Sequence, residues 1–406
     1  MISAKALVAV VSSAALALPG AATGSAPATA QSLHVSAYDV PADGQLVLRG
    51  HGYGHGNGMS QYGAEGAGRA GKSYGQILRF YYPGTDFRRV RGRIRVLISG
   101  DYTSDLRVSP TSGLKVRDLG DGATWQLPTR PGITMWRIRP APDVVQFFKD
   151  GRWHAWASPS GRTRLKGDGE FFADGPVRLW LSPGVSRSYR GHLRAASPYA
   201  GAAVRDTVNV VSMDKYVRGV VPYEMPSSWS APALKAQSIA ARSYATYERS
   251  LNRDRHYQTC DTTSCQVYGG TGAETESTNS AVRATADRIL KYRGRPAITQ
   301  FSSSSGGYTN SGGLRYLPAQ PDPWDDWSGN GVHNWSATVD ADRVERLYPR
   351  LGRLVAVRVT QRTGDGQWGG RVLRLVLDGS QDDVTLSGTD FRFSLGLRST
   401  WFTFER

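Results

Sequence analysis

The stretch Tyr216-Val-Arg-Gly-Val-Val-Pro-Tyr-Glu-Met-Pro-Ser-Ser-Trp-Ser230 decides how this chain is read. Val217 to Val221 is an apolar run of the kind a buried strand carries, and Pro222 and Pro226 stiffen the backbone beyond it. Glu224 stands between the two prolines, beside Tyr223, Met225 and Trp229. A carboxyl on a rigid apolar connection is desolvated, which raises its pKa toward what a general acid needs near neutral pH. Viewed alone, an exposed surface glutamate is the plainer reading. Past it, Ser230 offers an N-cap, and Pro232 falls in a first turn where its missing N–H is tolerated. Residues 231–249 are strong helix formers with no interior glycine, so the spacing predicts a long helix.

Strand patterns lie on both sides of that helix. Gln45–Arg49, Thr207–Val211, Leu354–Thr360 and Arg371–Leu377 read as strands, with Val355, Val357 and Val359 on one face. Gln31 to Asp43 shows no clear periodicity, and Tyr74–Tyr82 reads as a short helix stopped by Pro83-Gly84. Residues 91–195 alternate and turn often, and they carry Trp125, Trp136, Trp153, Trp156 and Trp180. Core aromatics of a small β-module fit these tryptophans better than sugar platforms. The expected class is α+β: a mixed, β-rich architecture around a helix at about 231–249, with an inserted β-rich module. The expected divisions are a leader over 1–30, an N-terminal segment of the core over 31–90, the tryptophan-bearing module over 91–195, and the catalytic core over 196–406.

Bulk properties narrow the function. The chain has 406 residues and a formal net charge of +16. Ala6–Leu18 is a small, apolar run after Lys5, shorter than the ~20 residues a membrane span needs, and Ala28-Thr29-Ala30 resembles a cleavage site. The mature chain is therefore expected to be exported, soluble and without a span. Export turns attention from nucleic acid to cell-wall polymers and membrane surfaces as the polyanions such a basic chain meets, with a merely solubilising surface charge an equal alternative. It also permits a disulfide between Cys260 and Cys265, acting as a local clip. Gly66-Ala-Gly-Arg-Ala-Gly-Lys-Ser73 matches a phosphate-binding loop by pattern, but no buried strand precedes it, so nucleotide binding is set aside.

Six blocks together resemble the stage II sporulation protein D family, which includes the amidase enhancers. They are Tyr216–Pro226, Ala233–Tyr244, Cys260–Tyr268, Phe301–Thr309, Gly388–Arg398 and Gly54–Ala64. The resemblance implies a lytic transglycosylase acting on peptidoglycan glycan strands free of stem peptides, with Glu224 as the catalytic acid and base. It also implies substrate contacts from Arg242, Lys235, Gln237, Tyr268, Ser304, Ser305, Gly306, His55, Ser60 and Gln61. For Gln237 and Arg242 a buried hydrogen-bonding role is an equal alternative. The other class kept open is a non-catalytic glycan binder that stimulates an N-acetylmuramoyl-L-alanine amidase.

Two departures from the family pattern carry expectations. The Gly-His-Gly-x-Gly-Met-Ser-Gln block stands near the family's C-terminus but here comes first. Restoring the site then requires Leu46–Gln61 to pack beside Trp401–Phe404. Some relatives hold zinc near the two cysteines. Here His256 with Cys260 and Cys265 would supply three ligands where a structural site takes four, so no cofactor is expected and the disulfide is preferred.

Overall fold

The computed structural model describes residues 36–405, so the leader expected over residues 1–30 lies outside the described residues. The chain is α+β. Its centre is the helix Ala231–Leu251, packed against helices Gln61–Arg69, Tyr74–Tyr81 and Glu276–Ala284 and against strand Arg288–Tyr292. Ala233, Ala236, Ala240, Ala241 and Ala245 are all buried, and these small side chains let neighbours close in from several directions. Leu234 and Ile239 fill the gaps, each burial stabilising by about 1.5–3 kcal/mol. Ser230 caps less than the sequence promised. Its side chain makes no capping bond, and its backbone N–H instead donates to Glu65 Oε2 at 2.7 Å.

A seven-stranded sheet lies beside this centre. Its order is Thr259–Cys260, Arg93–Leu97, Asp206–Ser212, His192–Ala196, Gly169–Phe172, Lys115–Asp118 and Thr124–Gln126. Between Arg93–Leu97 and Asp206–Ser212 the chain passes back and forth between this sheet and a six-stranded sheet that includes Met135–Arg139 and Val177–Ser182. Trp136 is buried between the layers, with Trp125 and Trp156 packed against the same core. Trp153 lies under the Arg137 guanidinium at 4.0 Å, and Trp180 donates to Ser109 Oγ at 2.9 Å. These rings serve the module's own packing.

A second core joins the two ends of the chain. Strands Ser36–Asp39, Leu354–Arg362, Val372–Gly379 and Val384–Ser387 form one sheet, and Asn334–Asp340, Gln45–His51 and Phe402–Phe404 form another. Leu48 pairs with Phe404 and Gly50 with Phe402 in antiparallel register, and His51 N–H donates to the Trp401 carbonyl at 2.9 Å. The N-terminal block therefore packs against the terminal strand, as the moved block requires.

Three expectations need correction. Val217–Val221 is not a strand: helix Met213–Arg218 ends at Gly219, and one further turn spans Val221–Glu224. Val217, Val220 and Val221 are the fully buried positions, a helical i, i+3, i+4 spacing that a short apolar run conceals. Ser36–Asp39 is a strand pairing with Leu354–Arg362, too short to show a period of two. Val355 is 54% exposed while Val357 and Val359 are buried, because the register shifts between Leu354 and Ala356.

Candidate functional site

Glu224 ends the turn Val221–Glu224 at the wall of a cavity of about 470 Å³. Residues 53–55, Gln61, Tyr244 of the long helix, residues 263–267 and residues 300–303 form the remaining walls. Among the described residues lining it, Glu224 is the one carboxyl group. Burial pushes that carboxyl up to about 7, against smaller opposing effects from the Gln61 side chain and the Val267 main chain. The Gln61 amide donates to Glu224 Oε2 at 3.3 Å. Glu224 is thus poised to exchange a proton near neutral pH.

Gln61 is held by a relay. Met59–Ser60 pairs in parallel with Phe301–Ser302, joining two blocks far apart in sequence. Ser60 caps helix Gln61–Arg69 by accepting from Gly63 N–H at 2.9 Å, and its hydroxyl donates to buried Asp325. Asp325 also accepts from Ser304 Oγ at 2.7 Å, the N–H groups of Ser305 and Gly306 at 3.0 Å, Asn330 at 3.1 Å and His333 Nδ1 at 2.8 Å. Burial alone would raise this carboxyl, but His333, Ser60 and Ser304 outweigh it and hold its pKa low. His333 is raised in return, first by its bond to Asp325. Gly306 has φ +74°, and a Cβ there would meet Gly52 N at 2.6 Å, so glycine is required where the two loops touch.

The expected substrate residues fall into separate groups. His55 and Gln61 line the cavity with Glu224. The Asn57 N–H donates to His55 Nδ1 at 2.9 Å, which leaves the proton of the neutral ring on Nε2. The protein wall around the ring, then Arg371 and Arg392, lower its pKa, so the ring is neutral at pH 7. Ser60, Ser304, Ser305 and Gly306 are buried behind the wall and build its frame.

Arg242 does not face the cavity. It is fully buried, with Nε on Asp214 at 2.8 Å and Nη1 on the Arg288 carbonyl at 3.0 Å. Tyr268 is also a core residue, donating to Asn209 Oδ1 at 2.8 Å and packing on Tyr216. Gln237 is fully buried, and neither end of its carboxamide has a protein partner. It lies two turns before Tyr244, on the same helix face. Lys235 is half-buried on the helix and is not among the lining residues.

Cys260 and Cys265 form a disulfide, with Cα atoms 5.5 Å apart. No thiolate is then left for zinc, and His256 Nε2 is paired with Asp206 at 2.6 Å. The clip closes the loop whose residues 263–267 wall the cavity. Sequence reasoning missed these wall residues, and it missed Asp322 and Asp325. The signal was present in Asp322-Pro-Trp-Asp-Asp-Trp327, two acids three apart in an aromatic turn.

Residues 203–292 match the family model described as stage II sporulation protein. The segment contains Glu224, the long helix and the disulfide loop. Stage II sporulation protein D of Bacillus subtilis is 31% identical over 222 residues, covering 49% of this chain and 62% of that protein. The amidase enhancer of the same species is 38% identical over 135 residues, covering 32% of this chain and 17% of that protein. An uncharacterized protein of Brachyspira hyodysenteriae is 40% identical over 105 residues, covering 26% of this chain and 28% of that protein. The chain thus spans less than two thirds of each of these relatives. Residues 203–292 thus match the stage II sporulation protein domain, and the similarity to stage II sporulation protein D and to the amidase enhancer supports that family.

Proposed function

We propose that the chain acts at the cell wall as a lytic transglycosylase on peptidoglycan glycan strands free of stem peptides. The observation that carries this reading is a half-buried carboxyl with a pKa of about 7, alone among the acids of a cavity wall. Protonated Glu224 gives its proton to the oxygen joining N-acetylmuramic acid to the next N-acetylglucosamine, and that bond breaks. The C6 hydroxyl of the muramic sugar closes on C1 and returns its proton to the Glu224 carboxylate. The product carries a 1,6-anhydro end, and no water is consumed. Gln61 steadies the ionised form between the two transfers. A hydrolase pair would need a second carboxyl ~5–9.5 Å away. Asp325 is enclosed by its six donors and Asp214 is committed to Arg242, which favours the one-acid route.

The test is mass spectrometry of products from stem-peptide-free glycan. Anhydro-muramic ends, abolished by Glu224→Gln, are expected; reducing ends would mean hydrolysis. The relative named amidase enhancer supports a second reading, a glycan binder that stimulates an N-acetylmuramoyl-L-alanine amidase without cutting. Binding without cleavage, with amidase stimulation surviving in Glu224→Gln, would select it. Both readings place the protein outside the membrane, at the wall. No helix among the described residues is long and apolar enough to cross a membrane.

A further inference from the structure

A second opening, of about 660 Å³, lies at the C-terminal end of the long helix. Arg249, Arg253, Lys291 and Arg295 line it, and among the described residues no acid does. Among the described residues, Arg253, Lys291 and Arg295 form no ion pair. Asp287 pairs with Arg91 at 2.7 Å, and Glu248 and Asp254, the acids beside Arg249 and Arg253 in sequence, do not line the opening. Arg249 rests on the carbonyls of Arg91 and Arg93, and its pKa is lowered by burial and then by Arg253. Four cations gathered around one opening repel each other, and an anion entering it would relieve that repulsion.

We propose that this groove binds a phosphodiester polymer of the wall, at a site separate from the cleavage cavity. Three of its four cations are arginines, whose planar forks match phosphate oxygens in pairs. The volume far exceeds one phosphate, so the ligand is extended. The groove also lies on the helix face turned away from Glu224. Thr246 lines it and Tyr244 lines the cavity, two residues and about 200° apart around the helix. A glycan seated at Glu224 therefore does not account for these charges, whereas a polyol-phosphate chain, charged at every repeat, does. Such binding would hold the protein on the wall while the cavity works.

The test uses the whole mature chain and a labelled glycerol-phosphate polymer, with affinity read by fluorescence anisotropy at low and moderate salt. The double variant Arg253→Glu/Lys291→Glu should weaken binding by about tenfold or more and flatten the salt dependence. The conservative pair Arg253→Lys/Lys291→Arg should retain binding. Arg346→Glu, an exposed charge on helix Ala341–Leu347, should change it by less than about twofold. Cleavage of soluble glycan should be the same in all of them, so failure here is distinct from failure of the transglycosylase reading. A loss in Arg346→Glu half as large in log affinity, in proportion to its charge change of two units against four, would reduce the effect to overall charge and overturn the site. A stem-peptide-free glycan that competes for the groove as strongly as the phosphate polymer would overturn the choice of ligand.

Discussion

Replacing Glu224 with Gln should stop cleavage and, at alkaline pH, make the protein more stable. The carboxyl pKa stands at about 7 in the folded chain against 4.5 for the unperturbed group. At about 1.4 kcal/mol per tenfold in proton affinity, folding disfavours the ionised side chain by about 3 kcal/mol. The sign comes from proton counting. Between pH 4.5 and about 7 the folded chain keeps a proton that the unfolded chain has released, so stability falls as pH rises through that window and stays low above it. Glutamine keeps the shape, can still accept from Gln61, and never ionises. At about pH 8.5 the variant should gain about 3 kcal/mol, or about 4 °C in melting temperature for a chain of this length. At about pH 4 both side chains are neutral and the gap should close. The wild-type slope alone is not diagnostic. His333, raised by Asp325, is fully stabilising below its unperturbed 6.5 and loses that contribution as pH rises through its folded pKa. The difference between the two proteins removes that background. Calorimetry across pH reads it directly. A gap of equal size at both ends, or a variant less stable at alkaline pH, would show that the carboxylate is not desolvated and would remove the basis for its acid role.

The same geometry sets three further outcomes. Removing the amide with Gln61→Leu takes away a donor to ionised Glu224, so the alkaline limb of the pH–rate profile, expected near 7, should move upward; a downward move would contradict the assigned direction. Asp325→Ala orphans His333, three hydroxyl or amide donors and two backbone N–H groups at once, and should cost about 3–5 kcal/mol in denaturant unfolding. The double variant Cys260→Ser/Cys265→Ser should lose at most about 2 kcal/mol of stability, because the loop it closes is short. It should lose cleavage by about tenfold or more, because residues 263–267 shape the cavity wall; activity falling only in step with stability would deny the loop that part.

The architecture was legible where local pattern and burial agree. The Ala231–Leu251 helix has strong formers, an early proline and no interior glycine, and nothing in its surroundings opposes them. The alternation expected from residue 91 onward likewise survives in strand Arg93–Leu97, where Ile94 and Val96 are buried. Val217–Val221 failed because five residues, three of them valines, hold less than two helical turns, so their periodicity cannot separate a buried helix from a strand. What decides it is Gly219 closing one helix and Pro222 opening the next. The pairing of Leu48 with Phe404 was foreseeable only through the order of the blocks, since no local propensity specifies a partner so far along the chain.

The site was less legible because a side chain's role depends on which way it faces. Arg242 and Tyr268 sit in the resembling blocks, yet one closes an ion pair and the other a core hydrogen bond. A displaced pKa does not identify the acid either. Asp322 is also raised to about 7, by burial and by the Asp325 charge, yet it is 2% exposed and absent from the cavity wall. Tyr81 and Ser305 donate to it, so its proton has no route to a sugar. Asp325, equally enclosed, goes the other way because six donors face it. Three buried carboxyls thus differ in two independent respects: how many donors compensate the burial, and whether a cavity reaches the oxygen. Glu224 alone combines few donors with an open face. Chemistry at this site requires both properties, so a variant that kept the raised proton affinity but blocked the cavity, such as Ser303→Trp in its lining, should abolish cleavage while the pH-dependent stability gap of Glu224→Gln persists or widens.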